Sequence, residues 1–175
     1  MRILELTRKE FSGGQLTYQY DTFGYYAVSA SVAGAGFSVT AMPKNAARRH
    51  VEFTTGIFSP ALTDPTLFIL VDNAGERAGY LETCLEAEGK VLRISNLMVE
   101  DGSRRRGYGS LLMSRAKTQA RSLGCRGLCV RVPAGNSGGI RFLLGQGLTL
   151  TGYPALPCAP GAAVNEPTLE LGMIC

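Results

Sequence analysis

The chain has 175 residues, 45% hydrophobic and 18% charged, which suits one domain with a sizeable core and excludes a disordered chain. No apolar run approaches the roughly twenty residues of a membrane span, and residues 1–10 mix acids into a short apolar stretch, unlike a signal peptide. The net charge of +4 is unevenly placed: residues 1–101 hold nine basic and twelve acidic side chains, residues 102–165 nine basic and none acidic. A one-signed stretch of that length fits a polyanion ligand or a solvated basic face.

Along the chain, residues 1–10 read as a short strand or arm. Strands near residues 16–20 and 25–32 follow the turn-rich Ser12, Gly13 and Gly14. A glycine-containing turn at residues 33–36 joins them to a strand over residues 37–41, since glycine permits the positive φ of tight hairpin turns. Residues 44–58 are ambiguous, with helical character at first, until Pro60 and Pro65 break the chain. Strands over residues 67–71 and 78–85 flank the turn at residues 72–76, and an apolar run over residues 91–99 comes next.

That run ends in the most informative stretch of the chain. A polar turn leads to Arg104, Arg105 and Arg106, then Gly107 and Gly109, and then Tyr108, Leu111, Leu112, Ala116, Ala120 and Leu123 at helical spacing. A strand feeding a glycine-bearing turn at a helix N-terminus makes an anion site, because the first N–H groups lack intrahelical partners and the macrodipole adds positive potential. Gly102 and Gly107 have P-loop spacing, but Tyr108 and Gly109 stand where the lysine and hydroxyl belong. Leu112 occupies the third glycine position of the dinucleotide pattern. What remains is Arg104-x-x-Gly107-x-Gly109. Beyond it lie a strand over residues 127–132, Asn136, a helix over residues 137–144, and Gly147 with Leu148 opening another strand. A proline-rich loop at residues 152–167 precedes a closing strand over residues 168–174. A loop of this length in a compact domain is often functional.

These pieces, in this order, resemble the GNAT superfamily of N-acetyltransferases over about residues 65–152. A closer similarity is to streptothricin acetyltransferase-like members, carried by residues 79–82, 92–97 and 104–109 and by the hairpin pattern of residues 25–28 and 36–39. The resemblance implies an α/β (α+β) fold: a mixed central sheet with flanking helices and a splayed parallel strand pair. It implies one domain, with residues 1–65 on the substrate side, 66–152 binding acetyl-CoA, and 153–175 forming a loop and closing strand. It further implies acetyl-CoA as cosubstrate, held by backbone groups of Leu97, Met98 and Val99, by the pyrophosphate loop Arg104, Arg105, Arg106, Gly107, Tyr108, Gly109 and Ser110, and by Asn136. The expected acceptor is a primary amine on a small molecule.

Two departures bear on the chemistry. The superfamily's usual leaving-thiol acid, a tyrosine seven residues after the asparagine, falls at Leu143, which cannot donate a proton. Tyr153 or Tyr108 could substitute, although Tyr108 suits the helix core. Where the streptothricin group carries a glutamate, this chain has Arg131, which repels a polycationic acceptor if it faces one. Asn136 alternatively caps the helix that starts at Ser137. For the base, Glu82 sits between apolar Leu81 and Cys84 on the strand beside the CoA-binding strand, where partial desolvation favours proton uptake. The alternative is an exposed strand carboxylate.

The remaining readings are exclusions. Five cysteines in irregular positions suggest free thiols in a reducing cytoplasm, with Cys84 and Cys129 as buried small hydrophobes. One histidine, His50, set among Arg48, Arg49 and Glu52, and the absence of a CxxC at Cys125 and Cys129 leave no expected metal site. The arginines lack interleaved aromatics and no helix-turn-helix or zinc pattern accompanies them, so nucleic acid is not an expected partner; with no apolar span, neither is a membrane, and a homodimer is compatible with the chain. A second function class stays open: a catalytically weak acyl-CoA-binding sensor or regulatory module, to which Leu143 points.

Overall fold

In the strand Val91–Val99, Leu92, Ile94, Asn96 and Met98 are buried while the residues between them are half-buried, the period-two pattern of a pleated strand. The computed structural model describes residues 1–11, 14–33, 36–86, 90–152 and 167–175, and the side chains of all of these except residues 30–33 and 36–40. Its elements are β1 (Arg2–Leu6), β2 (Gln15–Ala33), β3 (Gly36–Gly56), β4 (Thr66–Val71), β5 (Arg77–Glu86), β6 (Val91–Val99), α1 (Tyr108–Ser122), β7 (Gly127–Pro133), α2 (Ser137–Gly145), β8 (Thr149–Gly152) and β9 (Thr168–Ile174). The chain divides into two compact units, one of residues 1–16, 55–130 and 173–175, the other of residues 17–54 and 131–172.

In the first unit β1, β4, β5 and β6 pair antiparallel in that order, and β6 pairs in parallel with the start of β7, giving the expected mixed sheet. The β4–β5 connection is the expected turn: Asp72 Oδ1 accepts from the N–H groups of Ala74 and Glu76, and Gly75 has φ 88°. α1 connects β6 to β7 and packs on β4, β5 and β6. Its buried residues Leu112, Met113, Ala116 and Ala120 recur at three- and four-residue spacing, so they share one face. Burying a leucine or methionine side chain stabilises by about 1.5–3 kcal/mol. Gly79 lets this layer close: a Cβ there would lie 2.9 Å from the Met98 carbonyl oxygen and 3.1 Å from Leu112 Cδ1. Polar ties cross the layer as well: the buried Thr83 hydroxyl donates to Gln119 Oε1 at 2.8 Å, and Arg115 of α1 pairs with Glu5 of β1.

In the second unit β2 and β3 form a two-stranded sheet. Tyr18 stacks on Phe53 at 4.8 Å, Thr17 and Thr54 hydroxyls lie 3.3 Å apart, and Asp21 pairs with Arg48 and His50 at 2.7 and 3.0 Å. His50 faces solvent. β8 pairs antiparallel with β9. α2 buries Ser137, Ile140 and Leu143.

The strand over Val91–Val99 and the closing strand over Thr168–Ile174 begin and end at the expected residues. The N-terminal half differs. Residues 16–20 and 25–32 belong to one 19-residue strand, and residues 44–56 continue a 21-residue strand with no helix. Residues 42–50 are all exposed, so no buried face could impose a helical period, and cross-strand pairing with β2 decides the conformation. The turn residues Gly34 and Ala35, the proline-rich loop and Tyr153 lie outside the described residues. No helix among the described residues is long and apolar enough to cross a membrane.

Candidate active site

The parallel pairing of β6 with β7 runs from Val91↔Gly127 to Ile94↔Val130. β6 itself continues beside β5 as far as Val99↔Gly79. Leu97, Met98 and Val99 follow the residues of β6 that pair with β7, and they face Leu81, Tyr80 and Gly79 of β5. The chain then makes a 3-10 turn at Asp101–Ser103, and passes through Arg105 at φ 64° and Gly107 at φ 82° into α1. Both left-handed residues precede the helix, and Gly107 meets that demand without a steric penalty.

Among the described residues no side chain caps α1, whose N-cap is Gly107, and a Cβ built on Gly107 would meet none of them within 4 Å. The N-terminus of a 15-residue helix is thus open to an anion. Arg105 and Arg106 are exposed beside it. Arg104 turns the other way: its guanidinium pairs with Asp101 at 2.5 Å and donates to the Val99 carbonyl oxygen at 3.2 Å, bracing the loop against the strand end.

Glu82 has no exposed surface. Its Oε1 accepts from the Phe58 backbone N–H at 2.5 Å, and its Oε2 accepts from Ser95 Oγ and Asn96 Nδ2, each at 2.7 Å. The register explains the convergence. Glu82 pairs with Asn96 while Thr83 pairs with Ile94, so Ser95 is the extra residue of a β-bulge on β6. A bulge sets two residues opposite one, and here both direct their side chains at a single carboxylate. Asn96 Oδ1 in turn accepts from Thr55 Oγ1 at 2.7 Å. Phe58 is held buried at φ 58°, a conformation bulky residues rarely adopt. The network fastens residues 55–58 to the bulge. The exposed-carboxylate alternative for Glu82 is ruled out by its burial.

The second unit contains Asn136, Leu143 and Arg131. Asn136 is the N-cap of α2, its Oδ1 accepting from the Gly139 N–H at 2.9 Å. Leu143 is buried on the same helix face as Ile140. Arg131 forms a 2.9 Å ion pair with Glu170 of β9, so its charge is met within the sheet. A cleft of about 240 Å³ is lined by Thr22, Tyr25, Arg49, Ala134, Gly135 and Pro167 among others. Thr22 Oγ1 reaches the Ser137 hydroxyl at 3.0 Å, tying the wall of the cleft to the first turn of α2.

The structure thus brings the candidates Glu82, Leu97, Met98, Val99 and residues 104–110 into one unit, and Asn136 and Leu143 into the other. Sequence reasoning missed Ser95, Asn96, Thr55 and Phe58. One signal was present: two consecutive polar residues, Ser95 and Asn96, interrupt the apolar run of β6, as a bulge does. Among the described residues no cluster of histidine, cysteine or carboxylate side chains could hold a metal ion, and the four cysteines described, Cys84, Cys125, Cys129 and Cys175, are free thiols.

The model of the acetyltransferase (GNAT) family matches residues 38–147. No curated protein sequence matches the chain. Among solved structures, nourseothricin acetyltransferase is 25% identical, with 90% of this chain and 87% of that one covered and a TM-score of 0.67. A Bacillus anthracis str. Ames protein assigned as a streptothricin acetyltransferase, solved in complex with acetyl coenzyme A, is similar in fold: 13% identity, 100% and 99% coverage, TM-score 0.73. A GNAT family acetyltransferase from Elizabethkingia anophelis with acetyl-CoA bound has 16% identity, 63% and 76% coverage, and a TM-score of 0.54. The family match spans more than half the chain and includes β6, the glycine loop and α1; the protein belongs to the GNAT family of acetyltransferases.

Proposed function

We propose that this acetyltransferase moves the acetyl group of acetyl-CoA to a primary amine of a small molecule. The observation that carries the reading is β6, paired in parallel with β7 over Val91–Ile94, running on to a glycine-led helix start with Arg105 and Arg106 exposed beside it. In this reading the N–H groups at the start of α1, with Arg105 and Arg106, hold the pyrophosphate. Backbone groups of Leu97, Met98 and Val99 hold the pantetheine and polarise the acetyl carbonyl, as donors aimed at a developing oxyanion do. Glu82 is the proton acceptor for the ammonium, which must lose a proton before nitrogen can attack.

The similarity to nourseothricin acetyltransferase supports an amine-bearing small molecule as acceptor. Arg131 does not weigh against a polycation as its sequence position suggested, because Glu170 pairs with it. A second reading, an acyl-CoA-binding sensor, is favoured by Leu143, a buried hydrocarbon where the family usually has a hydroxyl. Free-CoA release from acetyl-CoA, measured with nourseothricin, spermidine, an aminoglycoside, amino acids and a peptide N-terminus, separates the two. Turnover of any of these amines supports the enzyme; acetyl-CoA binding without turnover supports the sensor.

A further inference from the structure

We infer that the Ser95 hydroxyl is the relay through which the acceptor ammonium gives its proton to Glu82; this rests on the acetyltransferase reading above. Glu82 is fully buried, so an incoming ammonium does not meet its carboxylate directly. Three donors surround that carboxylate: the Phe58 amide, the Asn96 carboxamide and the Ser95 hydroxyl. An amide N–H donates but offers its nitrogen no lone pair for a proton, whereas a hydroxyl both accepts and donates. Phe58 and Asn96 are buried, while Ser95 is half-buried and so is the member of the three that reaches outward. The bulge explains why a serine on β6 does this: as the unpaired extra residue, Ser95 turns onto the Glu82 face beside Asn96.

The transfer balances as follows. The ammonium N–H bond breaks as its proton passes to Ser95 Oγ, and the Ser95 O–H bond breaks as its own proton passes to Glu82 Oε2 over 2.7 Å. The amine is left neutral with a lone pair, the hydroxyl is restored and the carboxylate becomes a carboxylic acid. After attack, the second nitrogen proton goes to the departing thiolate, and Glu82 returns its proton to solvent by the same path. The ionisable side chains nearest along β5 and β6 are Tyr80, Cys84, Glu86 and Arg93, the last two paired with each other at 2.7 Å; residues 55–58 contribute none.

The test compares Ser95→Ala, Ser95→Thr, Glu82→Gln and the double variant Ser95→Ala with Glu82→Gln, using acetyl-CoA with nourseothricin, spermidine and an aminoglycoside. We expect Ser95→Ala to lower kcat about 100-fold, the lower end for general acid–base help, with acetyl-CoA affinity by calorimetry unchanged. Ser95→Thr, which keeps the hydroxyl, restores most of the rate. The double variant is no slower than the slower single one, because the two groups act as a unit. Raising the pH until the amine is neutral in solution recovers much of the Ser95→Ala rate, which a merely structural serine would not allow. If Ser95→Ala keeps the parent rate while Glu82→Gln loses it, the relay is overturned and Glu82 as acceptor stands. If Glu82→Gln keeps the parent rate, both fall. Should Glu82→Gln fail to fold, the Ser95 pair decides alone. Joint loss of acetyl-CoA affinity and rate in Ser95→Ala, without recovery at high pH, also overturns the relay. A parent enzyme that turns over none of the amines overturns the proposed function itself.

Discussion

Arg131 of β7 and Glu170 of β9 are joined by an ion pair of 2.9 Å, both side chains about one-third exposed or less. The pair places a compensating carboxylate beside the one arginine whose sequence position argued against a cationic acceptor. Glu170→Ala should therefore weaken both the sheet and a polycationic acceptor. A partly exposed pair contributes about 1 kcal/mol, roughly 2–4 °C of melting temperature at this size. The kinetic check is KM: a rise for spermidine with little change for an amino-acid acceptor is expected, and equal changes would remove the electrostatic argument.

Acetyl-CoA should stabilise the protein and adenosine should do so only weakly, because the pyrophosphate supplies the charge that the start of α1 and Arg105 and Arg106 are arranged to meet. At 100 times the dissociation constant a ligand adds about 2.7 kcal/mol. Scanning fluorimetry should show a rise of several degrees. No shift at millimolar acetyl-CoA would refute the site.

Gly107→Val separates local strain from ligand obstruction. With φ at 82° and nothing within 4 Å of a built Cβ, the folding cost is backbone strain and not collision. Strain of this kind is worth about 1–3 kcal/mol. Loss of acetyl-CoA affinity well beyond that figure is expected from calorimetry on the folded variant. Parent-like affinity would move the pyrophosphate elsewhere.

Leu143→Tyr tests whether α2 can accept the family's usual proton donor. Leu143 is 4% exposed beside Ile140 on the inner face of α2. Enlarging it should cost about 1–3 kcal/mol through overpacking, seen in the melting temperature, with no gain in kcat. A faster variant would place this position beside the leaving thiolate.

Thiol reactivity follows burial. Burial pushes the Cys84 thiol up, against the opposing pull of Arg93, while Cys175 is exposed. A thiol held protonated in the native state contributes stability that is complete below the ordinary thiol range. As pH rises above about 8.5, the unfolded chain releases its proton first and that contribution declines until the native thiol also ionises. Among the described cysteines, mass spectrometry after brief labelling at neutral pH should find Cys175 modified and Cys84 protected. Early modification of Cys84 would contradict its burial.

The sequence by itself determined what local periodicity and turn chemistry can encode. The alternation in Val91–Val99, the Asp72 turn, the glycine-led start of α1 and the closing strand each depend on residues within a few positions of one another, so their pattern survives without knowledge of the partners. The loop residues 104–110 were legible for the same reason. What only the tertiary structure decided involves residues far apart in the chain. The exposed residues 42–50 carry no buried period, so their strand is dictated by pairing with β2. Arg131 acquired its counter-charge from Glu170, thirty-nine residues away. Glu82 became a sealed carboxylate through Phe58, Ser95 and Asn96, because a one-residue bulge turns two neighbouring side chains onto one face, and the strand pattern alone fixes no register.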